Sequence, residues 1–200
     1  MTENRASFQD RLRPIVPPGQ LIDIEHAYMI SKYVHRAQVR MELDENGNPL
    51  RYFEHPRRVA LILMDTVGVT DPIILCAALL HDTVEDSEEL SPAAIERYWG
   101  SEVASLVQLL SKIPKEGYVE RLNKHGDWRT LLIKACDRLD NLRSLDPADI
   151  SGEFRTRQLK ETHELYIPLF QKMLTMIPER HKVGAQLVMA EIIALTRTGV

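Results

Sequence analysis

The segment that most constrains the fold is an apolar run over residues 72–80 that leads directly into ionisable side chains. The run, PIILCAALL, is apolar on every side of a helix, which is typical of a helix at the centre of a domain. It is followed by His81, Asp82, Glu85 and Asp86. A buried carboxylate needs a compensating partner, and a divalent metal ion would serve. The alternative is a helix end that emerges into solvent, where the acids are hydrated.

The spacing of these four residues indicates how a metal ion could be held. On a continuous helix, His81 and Glu85 share one face and Asp82 and Asp86 share another, because the members of each pair lie one helical turn apart. His81 and Asp82 point about 100° apart around a regular helix. An ion at the helix end could therefore take one ligand from each of these two residues.

A second segment, residues 131–145, carries an acid within an apolar helical pattern. Its sequence, LLIKACDRLDNLRSL, separates into an apolar stripe and a polar stripe. The apolar stripe contains Ala135, Leu139 and Leu142, and the polar stripe contains Asp137, Asn141 and Ser144. Asp137 is therefore either a solvent-facing residue bridged to Lys134 or Arg138, or an inward-facing metal ligand.

A third candidate ligand is His55, which precedes Pro56. Proline favours the first turn of a helix, so the His55 side chain can project from the helix entrance. The alternative role for a lone histidine at this position is a cap or a packed ring. Together with His81, Asp82 and Asp137, His55 would form a ligand set suited to Mn²⁺, Fe²⁺ or Zn²⁺. No short metal-binding motif covers these four residues, so their spacing alone is not specific.

Hydrophobic periodicity predicts helices along most of the chain. Helix starts are indicated where a capping residue precedes a proline, as at Asp71-Pro72 and Ser91-Pro92. The predicted helices span residues 21–38, 56–67, 72–84, 92–98, 101–112, 114–123, 128–145, 152–176 and 179–197. No alternating run is long enough to predict a strand. We therefore predict an all-α, single-domain helical bundle over residues 21–200, preceded by a loosely held N-terminal arm over residues 1–20.

The composition excludes several classes of protein. The 200 residues are 44% hydrophobic and 27% charged, which is ordinary for a globular chain, and no apolar run reaches the ~18 residues of a membrane span. The net charge of −4 and the lack of a basic block argue against nucleic-acid binding but leave room for a small anionic ligand. Cys76 and Cys136 lie in apolar stretches, which favours buried, reduced thiols and a cytoplasmic location.

Four segments of the chain carry a resemblance to a known family. They are HRAQVR at 35–40, YFEHP at 52–56, ALLHDTVED at 78–86 and KACDRLDNLR at 134–143. The pattern of His55, the His81-Asp82 doublet and Asp137 resembles that of the HD superfamily of metal-dependent phosphohydrolases. The finer similarity, over about residues 22–175, is to the (p)ppGpp hydrolase domain of RelA/SpoT-type enzymes and to the small alarmone hydrolases.

The resemblance implies both a reaction and a set of functional residues. The reaction is removal of pyrophosphate from the 3′ position of guanosine 3′,5′-bis(pyrophosphate)-type alarmones, giving GDP or GTP, with Mn²⁺ as the usual metal. The implied metal ligands are His55, His81, Asp82 and Asp137. Glu85 and Asp86 would act on the nucleophilic water, and Arg40, Tyr52 and Asn141 would contact the nucleotide.

Several features leave the substrate open. A hydrolase of this kind needs cations for the remaining phosphates, and the candidates are Arg40, Lys134, Arg138 and Arg143. Met41 stands where the family usually has a basic residue, and the stretch 42–51 is longer than the usual link to the histidine. One alternative is therefore an HD-type phosphohydrolase of another nucleotide, such as an adenine alarmone, a nucleoside monophosphate or NADPH. Another is a non-catalytic binding module.

Overall fold

Helices make up most of the described chain, which comprises residues 4–87, 90–145 and 150–197 of this computed structural model. In chain order they are α1 (Arg5–Leu12), α2 (Pro18–Val34), α3 (Glu54–Asp65), α4 (Pro72–Leu80), α5 (Thr83–Asp86), α6 (Pro92–Leu110), α7 (Tyr118–His125), α8 (Trp128–Arg143), α9 (Gly152–Glu161), α10 (Ile167–Met176) and α11 (Glu179–Arg197). Within those ranges the strands are β1 (Val39–Leu43) and β2 (Pro49–Arg51), which pair antiparallel. The predicted all-α bundle is confirmed, with one small hairpin added to it.

The central helix of the bundle is α4, as the all-round apolar sequence predicts. It starts at Pro72, after Asp71 has accepted a hydrogen bond from the backbone N–H of Ile73. Its side chains from Ile74 to Leu80 are all buried. Helices α2, α3, α6 and α8 surround it. The carboxyl end of α4 therefore delivers the residues that follow it into the interior of the bundle.

The hairpin was not predicted, because its strands are only five and three residues long, too short for an alternating run to stand out. The apolar side chains of β1 also face outward. Val39, Met41 and Leu43 are 60%, 62% and 43% exposed. Arg40 and Glu42 alternate with them and are half-buried, facing the bundle. Helix α2 ends before the hairpin, so the predicted helix over 21–38 is too long at its C-terminal end. The inward charges of β1 place it beside the candidate site.

Other helix boundaries depart from the predictions at specific residues. Gly100 has φ = +86° and kinks α6, which agrees with the two helices predicted on either side of it. The predicted helix over 114–123 starts later, at Tyr118, after Gly117 in the left-handed region with φ = +66°. The predicted helix over 152–176 comprises α9, a π-helical turn over Thr162–Tyr166, and α10.

The N-terminal segment is packed more firmly than a loose arm. Phe8 and Leu12 of α1 are buried in the common core, and the Phe8 ring lies 5.2 Å from that of Tyr28 on α2. The expectation of a loosely held segment is wrong for α1, because these two apolar side chains sit one turn apart on the same face of a helix. The domain boundary at residue 21 stays a prediction. Within residues 4–87, 90–145 and 150–197, no helix combines the length and the hydrophobicity that a bilayer crossing requires.

Candidate metal centre

Two imidazoles and two aspartates from three parts of the bundle meet in its interior. Ligand atoms of His55, His81 and Asp82 lie within 4.8 Å of one another. Asp137 Oδ1 lies 3.0 Å from His55 Nε2 and 3.8 Å from His81 Nε2. All four side chains are buried. His55 comes from the first turn of α3, the doublet from the end of α4, and Asp137 from the middle of α8, so packing of these helices forms the cluster.

Helix α4 stops at Leu80 rather than continuing to residue 84 as predicted. The Thr83 hydroxyl donates to the Leu80 carbonyl at 2.7 Å, and His81 Nδ1 lies 2.8 Å from the Ala78 carbonyl. These side chains satisfy carbonyls that would otherwise accept backbone N–H groups of a further turn. Helix α5 then begins at Thr83, so a two-residue turn at His81 and Asp82 interrupts the continuous helix that was expected.

The hydrogen bond of His81 defines which of its nitrogens faces the cluster. A carbonyl only accepts, so Nδ1 carries the proton that binds Ala78, and in the neutral ring Nε2 keeps its lone pair. Nε2 lies 3.1 Å from Asp82 Oδ2. Within the described part of the chain, this buried nitrogen has no partner in hydrogen-bond geometry. An unpaired, buried nitrogen directed at two carboxylates is a suitable ligand for a divalent cation.

The electrostatics of the cluster also suit a cation. Burial alone would lower the pKa of His81, but the charges of Asp82 and Asp137 raise it to about 10. Burial would raise the pKa of Asp82, but His81 and His55 bring it well below its ordinary value. Without a metal ion, the carboxylates therefore stay ionised and keep the imidazole of His81 protonated. A divalent ion would neutralise the same negative charge in place of that proton.

Asp137 is buried and also ion-paired, so it combines features of the two alternatives drawn from the sequence. Lys134 Nζ lies 2.6 Å from Oδ2, and Asn141 Nδ2 donates to Oδ1 at 2.6 Å. Burial would raise the pKa of Asp137, but Lys134 and the two histidines keep it well below its ordinary value. The side chain faces inward, with Oδ1 toward the histidines and Oδ2 toward the lysine.

Tyr52 contacts a candidate metal ligand as well as a cavity. Its hydroxyl donates to Asp82 Oδ2 at 2.7 Å, and its ring centroid lies 4.7 Å from that of His35. Burial and the charge of Asp82 raise the pKa of Tyr52 well above its ordinary range, so the hydroxyl keeps its proton and remains a donor. Tyr52 therefore orients Asp82, a role that the sequence did not indicate.

Glu85 and Asp86 lie on α5, immediately after the doublet. The Lys112 backbone N–H donates to Glu85 Oε1 at 2.5 Å, and Asp86 Oδ2 lies 3.4 Å from His35 Nδ1. Partial burial raises the pKa of Glu85, and partial burial together with the charge of Asp82 raises that of Asp86. Burial is the main cause in both groups.

The three residues expected to contact a nucleotide line one cavity of about 260 Å³ next to α8. Arg40 Nη2 donates to Asn141 Oδ1 at 3.1 Å, and the Arg40 guanidinium lies 5.9 Å from the centroid of the Tyr52 ring. Met41 and Phe154 are among the apolar residues of the wall. The cavity therefore offers a flat cation, an aromatic ring and an amide beside the cluster.

A second cavity of about 640 Å³ adjoins the first and is rich in cations. Its basic lining residues are Lys112, Lys115, Lys134, Arg138 and Arg157. Two of the four cations predicted to hold phosphates, Lys134 and Arg138, are in this lining, and Arg40 lines the smaller cavity. Arg143 points elsewhere, since its guanidinium donates to both oxygens of Glu191 at 2.7 Å.

Sequence reasoning missed three residues behind His55. Asp140 Oδ2 lies 2.6 Å from His55 Nδ1, and Arg58 Nε donates to Asp140 Oδ1 at 2.7 Å. Glu42 accepts two hydrogen bonds from the other edge of Arg58. The sequence does contain a pattern that points to two of them: Asp140 lies one turn after Asp137, and Arg58 lies one turn after His55. Their opposite charges could have indicated a pair.

The chain is similar in sequence to several curated proteins. The chain is 32% identical over 182 residues to the bifunctional (p)ppGpp synthase/hydrolase SpoT of Escherichia coli K12, covering 84% of this chain and 24% of that protein. It is 36% identical over 165 residues to a guanosine-3′,5′-bis(diphosphate) 3′-pyrophosphohydrolase of Aquifex aeolicus, covering 78% and 22%. The chain therefore spans about a quarter or less of the length of these curated relatives.

The fold has a counterpart among solved structures. A structure described as a metazoan ortholog of SpoT that hydrolyzes ppGpp matches with a TM-score of 0.65 at 24% identity, covering 92% of this chain and 97% of that one. This likeness concerns the fold. A family model described as an HD domain matches residues 31–175, which include all four side chains of the cluster. The chain belongs to the HD-domain family.

Proposed function

We propose that this chain is a metal-dependent hydrolase that removes pyrophosphate from the 3′ position of guanosine 3′,5′-bis(pyrophosphate)-type alarmones, giving GDP or GTP. The observation that carries the proposal is the buried cluster of His55, His81, Asp82 and Asp137. Its aspartates contact Tyr52, Lys134 and Asn141, which line two adjoining cavities. The names of the Escherichia coli and Aquifex aeolicus relatives, which describe this reaction for those proteins, support it.

The four clustered residues would hold the metal ion, and we propose Mn²⁺ in that role. Mixed imidazole and carboxylate ligands suit Mn²⁺ as well as Fe²⁺ and Zn²⁺. When bound, such an ion lowers the pKa of water and polarises a phosphoryl oxygen. Tyr52 would keep Asp82 oriented through its 2.7 Å hydrogen bond, and Asn141 would do the same for Asp137.

Glu85 and Asp86 would handle the protons of the reaction. The oxygen of water forms a bond to the phosphorus attached to O3′ of the ribose, and the O3′–P bond breaks. One proton leaves the water and one must reach O3′, while pyrophosphate departs. Both carboxyls have a raised pKa, which suits groups that take up and release a proton near neutral pH. The backbone N–H of Lys112 holds Glu85 in place for this role.

The two cavities would divide the nucleotide between them. The Arg40 guanidinium and the Tyr52 ring offer flat surfaces for a base, and Asn141 offers an amide for the ribose or a phosphate. Arg138 lines both cavities and, with Lys112 and the other cations of the larger cavity, would neutralise the phosphates. A nucleotide that carries phosphates at two positions fits this arrangement of one apolar and one cationic chamber.

A second candidate function is the hydrolysis of another nucleotide by the same centre. Met41 lies in the wall of the smaller cavity, where the resemblance led us to expect a basic side chain. The long stretch 42–51 that follows it forms the end of β1, the hairpin turn and β2. An adenine alarmone, a nucleoside monophosphate or NADPH is therefore the alternative substrate. We also propose a cytoplasmic location, which the two free, buried cysteines support. With a small nucleotide as substrate, we propose no nucleic-acid or membrane partner.

The proposal is tested with a substrate panel. The Mn²⁺-loaded protein is incubated with ppGpp, pppGpp, ppApp, NADPH and a nucleoside monophosphate, and the products are separated by chromatography. We expect GDP from ppGpp and GTP from pppGpp, each with an equal amount of pyrophosphate. Release of phosphate from NADPH or the monophosphate, with both guanosine alarmones intact, would support the second candidate instead. Absence of turnover on every substrate would favour the non-catalytic module.

Two glutamate variants test whether the activity measured with the panel arises at this site. Glu85→Gln removes the proposed proton acceptor, whereas Glu179→Gln removes a carboxylate from the exposed first turn of α11. We expect product formation to disappear in Glu85→Gln and to be unchanged in Glu179→Gln. His55→Ala should lose bound metal and turnover together. Activity in His55→Ala would contradict the proposed ligand set.

A further inference from the structure

A group of charged residues lies on the opposite edge of the His55 ring from the cluster. It consists of Asp140, Arg58 and Glu42, and we name it the Asp140 network. We propose that Asp140 is a positioning residue, which fixes the His55 ring so that Nε2 faces the candidate metal centre, and that Arg58 and Glu42 hold Asp140 in place. The inference rests on the proposed function only insofar as the cluster binds a divalent ion.

The contact between His55 and Asp140 determines where the proton of the imidazole resides. Asp140 Oδ2 lies 2.6 Å from His55 Nδ1. An ionised carboxylate only accepts hydrogen bonds, so Nδ1 carries the proton. In the neutral ring the lone pair is then on Nε2, the atom 3.0 Å from Asp137 Oδ1 and 3.6 Å from Asp82 Oδ2. A histidine that donates one N–H to a carboxylate and offers its other nitrogen to a metal is a recurrent arrangement in metal sites.

Asp140 is buried between the His55 ring and the guanidinium of Arg58. A carboxylate that is buried beside a guanidinium pairs with it as an ion. Arg58 Nε donates to Oδ1 at 2.7 Å, and Nη2 lies 3.3 Å from Oδ2. Both oxygens of Asp140 are thus engaged away from the cluster. This engagement distinguishes Asp140 from Asp137, which turns Oδ1 toward the histidines.

Glu42 completes the network from the hairpin. Its two oxygens accept hydrogen bonds from Arg58 Nη1 at 3.1 Å and Nη2 at 2.7 Å, and the Ser144 hydroxyl donates to Oε2 at 2.9 Å. A guanidinium held on two edges by two carboxylates has little freedom to rotate. Glu42 belongs to β1 and itself lines the smaller cavity, so the same contacts join the hairpin to His55. The long stretch 42–51 thereby acquires a role at the metal centre.

The first test measures metal affinity in the 200-residue chain. Zn²⁺ is titrated in competition with a chelating dye into wild type, Asp140→Asn and Asp65→Asn. The control Asp65→Asn removes an exposed carboxylate that pairs with Arg11; Asp65 lies on α3, the helix that also carries His55 and Arg58. We expect affinity in Asp140→Asn to fall by about 10- to 100-fold, the usual effect of losing such a partner. Affinity in Asp65→Asn should be unchanged, and equal affinity in all three proteins would overturn the inference.

The second test uses the unaltered protein and therefore does not depend on the folding of a variant. A long-range ¹H–¹⁵N spectrum of the Zn²⁺-loaded wild type reports which nitrogen of His55 carries a proton. We expect a protonated Nδ1 and an unprotonated Nε2, whereas a protonated Nε2 overturns the inference. A merely structural ion pair would not select the tautomer. If wild type binds no Zn²⁺, both the inference and the proposed metal centre fail; if binding depends on Asp140 but no alarmone is hydrolysed, only the proposed substrate fails.

Discussion

The substitution Lys134→Met tests whether Lys134 compensates a buried charge of the cluster. Lys134 is buried, with Nζ 2.6 Å from Asp137 Oδ2 and 5.3 Å from the ring centroid of Tyr118. Methionine keeps the unbranched stem of lysine and tolerates an irregular apolar site, so it removes the charge without opening a large cavity. The variant would leave Asp137 Oδ2 buried without its cation.

The size of the effect follows from what remains around Asp137. Breaking a buried ion pair by removing one partner costs about 3–5 kcal/mol. Asn141 still donates to Oδ1 at 2.6 Å, so we expect the lower end, about 3 kcal/mol. For a domain of this size that loss corresponds to a fall of about 6–12 °C in Tm. A divalent ion should restore part of the stability, because it would neutralise the same carboxylate.

The assay is urea unfolding of the metal-free proteins, followed by circular dichroism. The matched control is Lys182→Met, since Lys182 and Glu179 form another pair at the same helical spacing, with side chains 40% and 85% exposed. Such a surface pair contributes below about 1 kcal/mol. If Lys134→Met and Lys182→Met unfold at the same urea concentration, the argument that Lys134 stabilises a buried carboxylate is refuted.

Three further predictions concern the site and the packing of the bundle. Asp82→Ala should lose metal, measured by elemental analysis, and pyrophosphate release at the same time; retention of either alone would contradict its role as a ligand. Glu85→Gln should retain metal but lose about 10²–10⁴-fold in rate, as expected for a general base, and full activity would exclude that role. Gly184→Ala should lower Tm by destabilising the fold by about 1–3 kcal/mol, because its Cβ would overlap the backbone of Thr66 and Val67; an unchanged melting curve would show that α11 can shift without cost.

The helical core is the part of the structure that the sequence predicts best. The all-round apolar run of α4 can be stable only when surrounded, and it is surrounded by four helices. The proline and capping signals at Asp71-Pro72 and Ser91-Pro92 mark the observed starts of α4 and α6. These predictions succeed because capping and periodicity are local properties of the chain, which depend on neighbours within one or two turns.

The hairpin and the end of α4 could not be predicted in the same way. The strand β1 turns Arg40 and Glu42 inward, and those charges are stable there only because Arg58 and Asn141 lie opposite them. Helix α4 ends where the side chains of His81 and Thr83 form hydrogen bonds with its last carbonyl groups. In both cases the deciding partner is a particular side chain in a particular conformation, which a hydrophobic pattern does not describe.

The sequence by itself determined that acids and imidazoles lie within or next to apolar helical segments, and that a compensating charge is needed wherever they are buried. Only the tertiary structure decided how that charge is shared. Helical periodicity gives the direction of a side chain around its own axis but not the residue that it meets on another helix. Packing of α3 against α8 sets Asp137 on one edge of the His55 ring and Asp140 on the other. Because those contacts join residues more than eighty positions apart, no local pattern could have assigned the two aspartates their different surroundings.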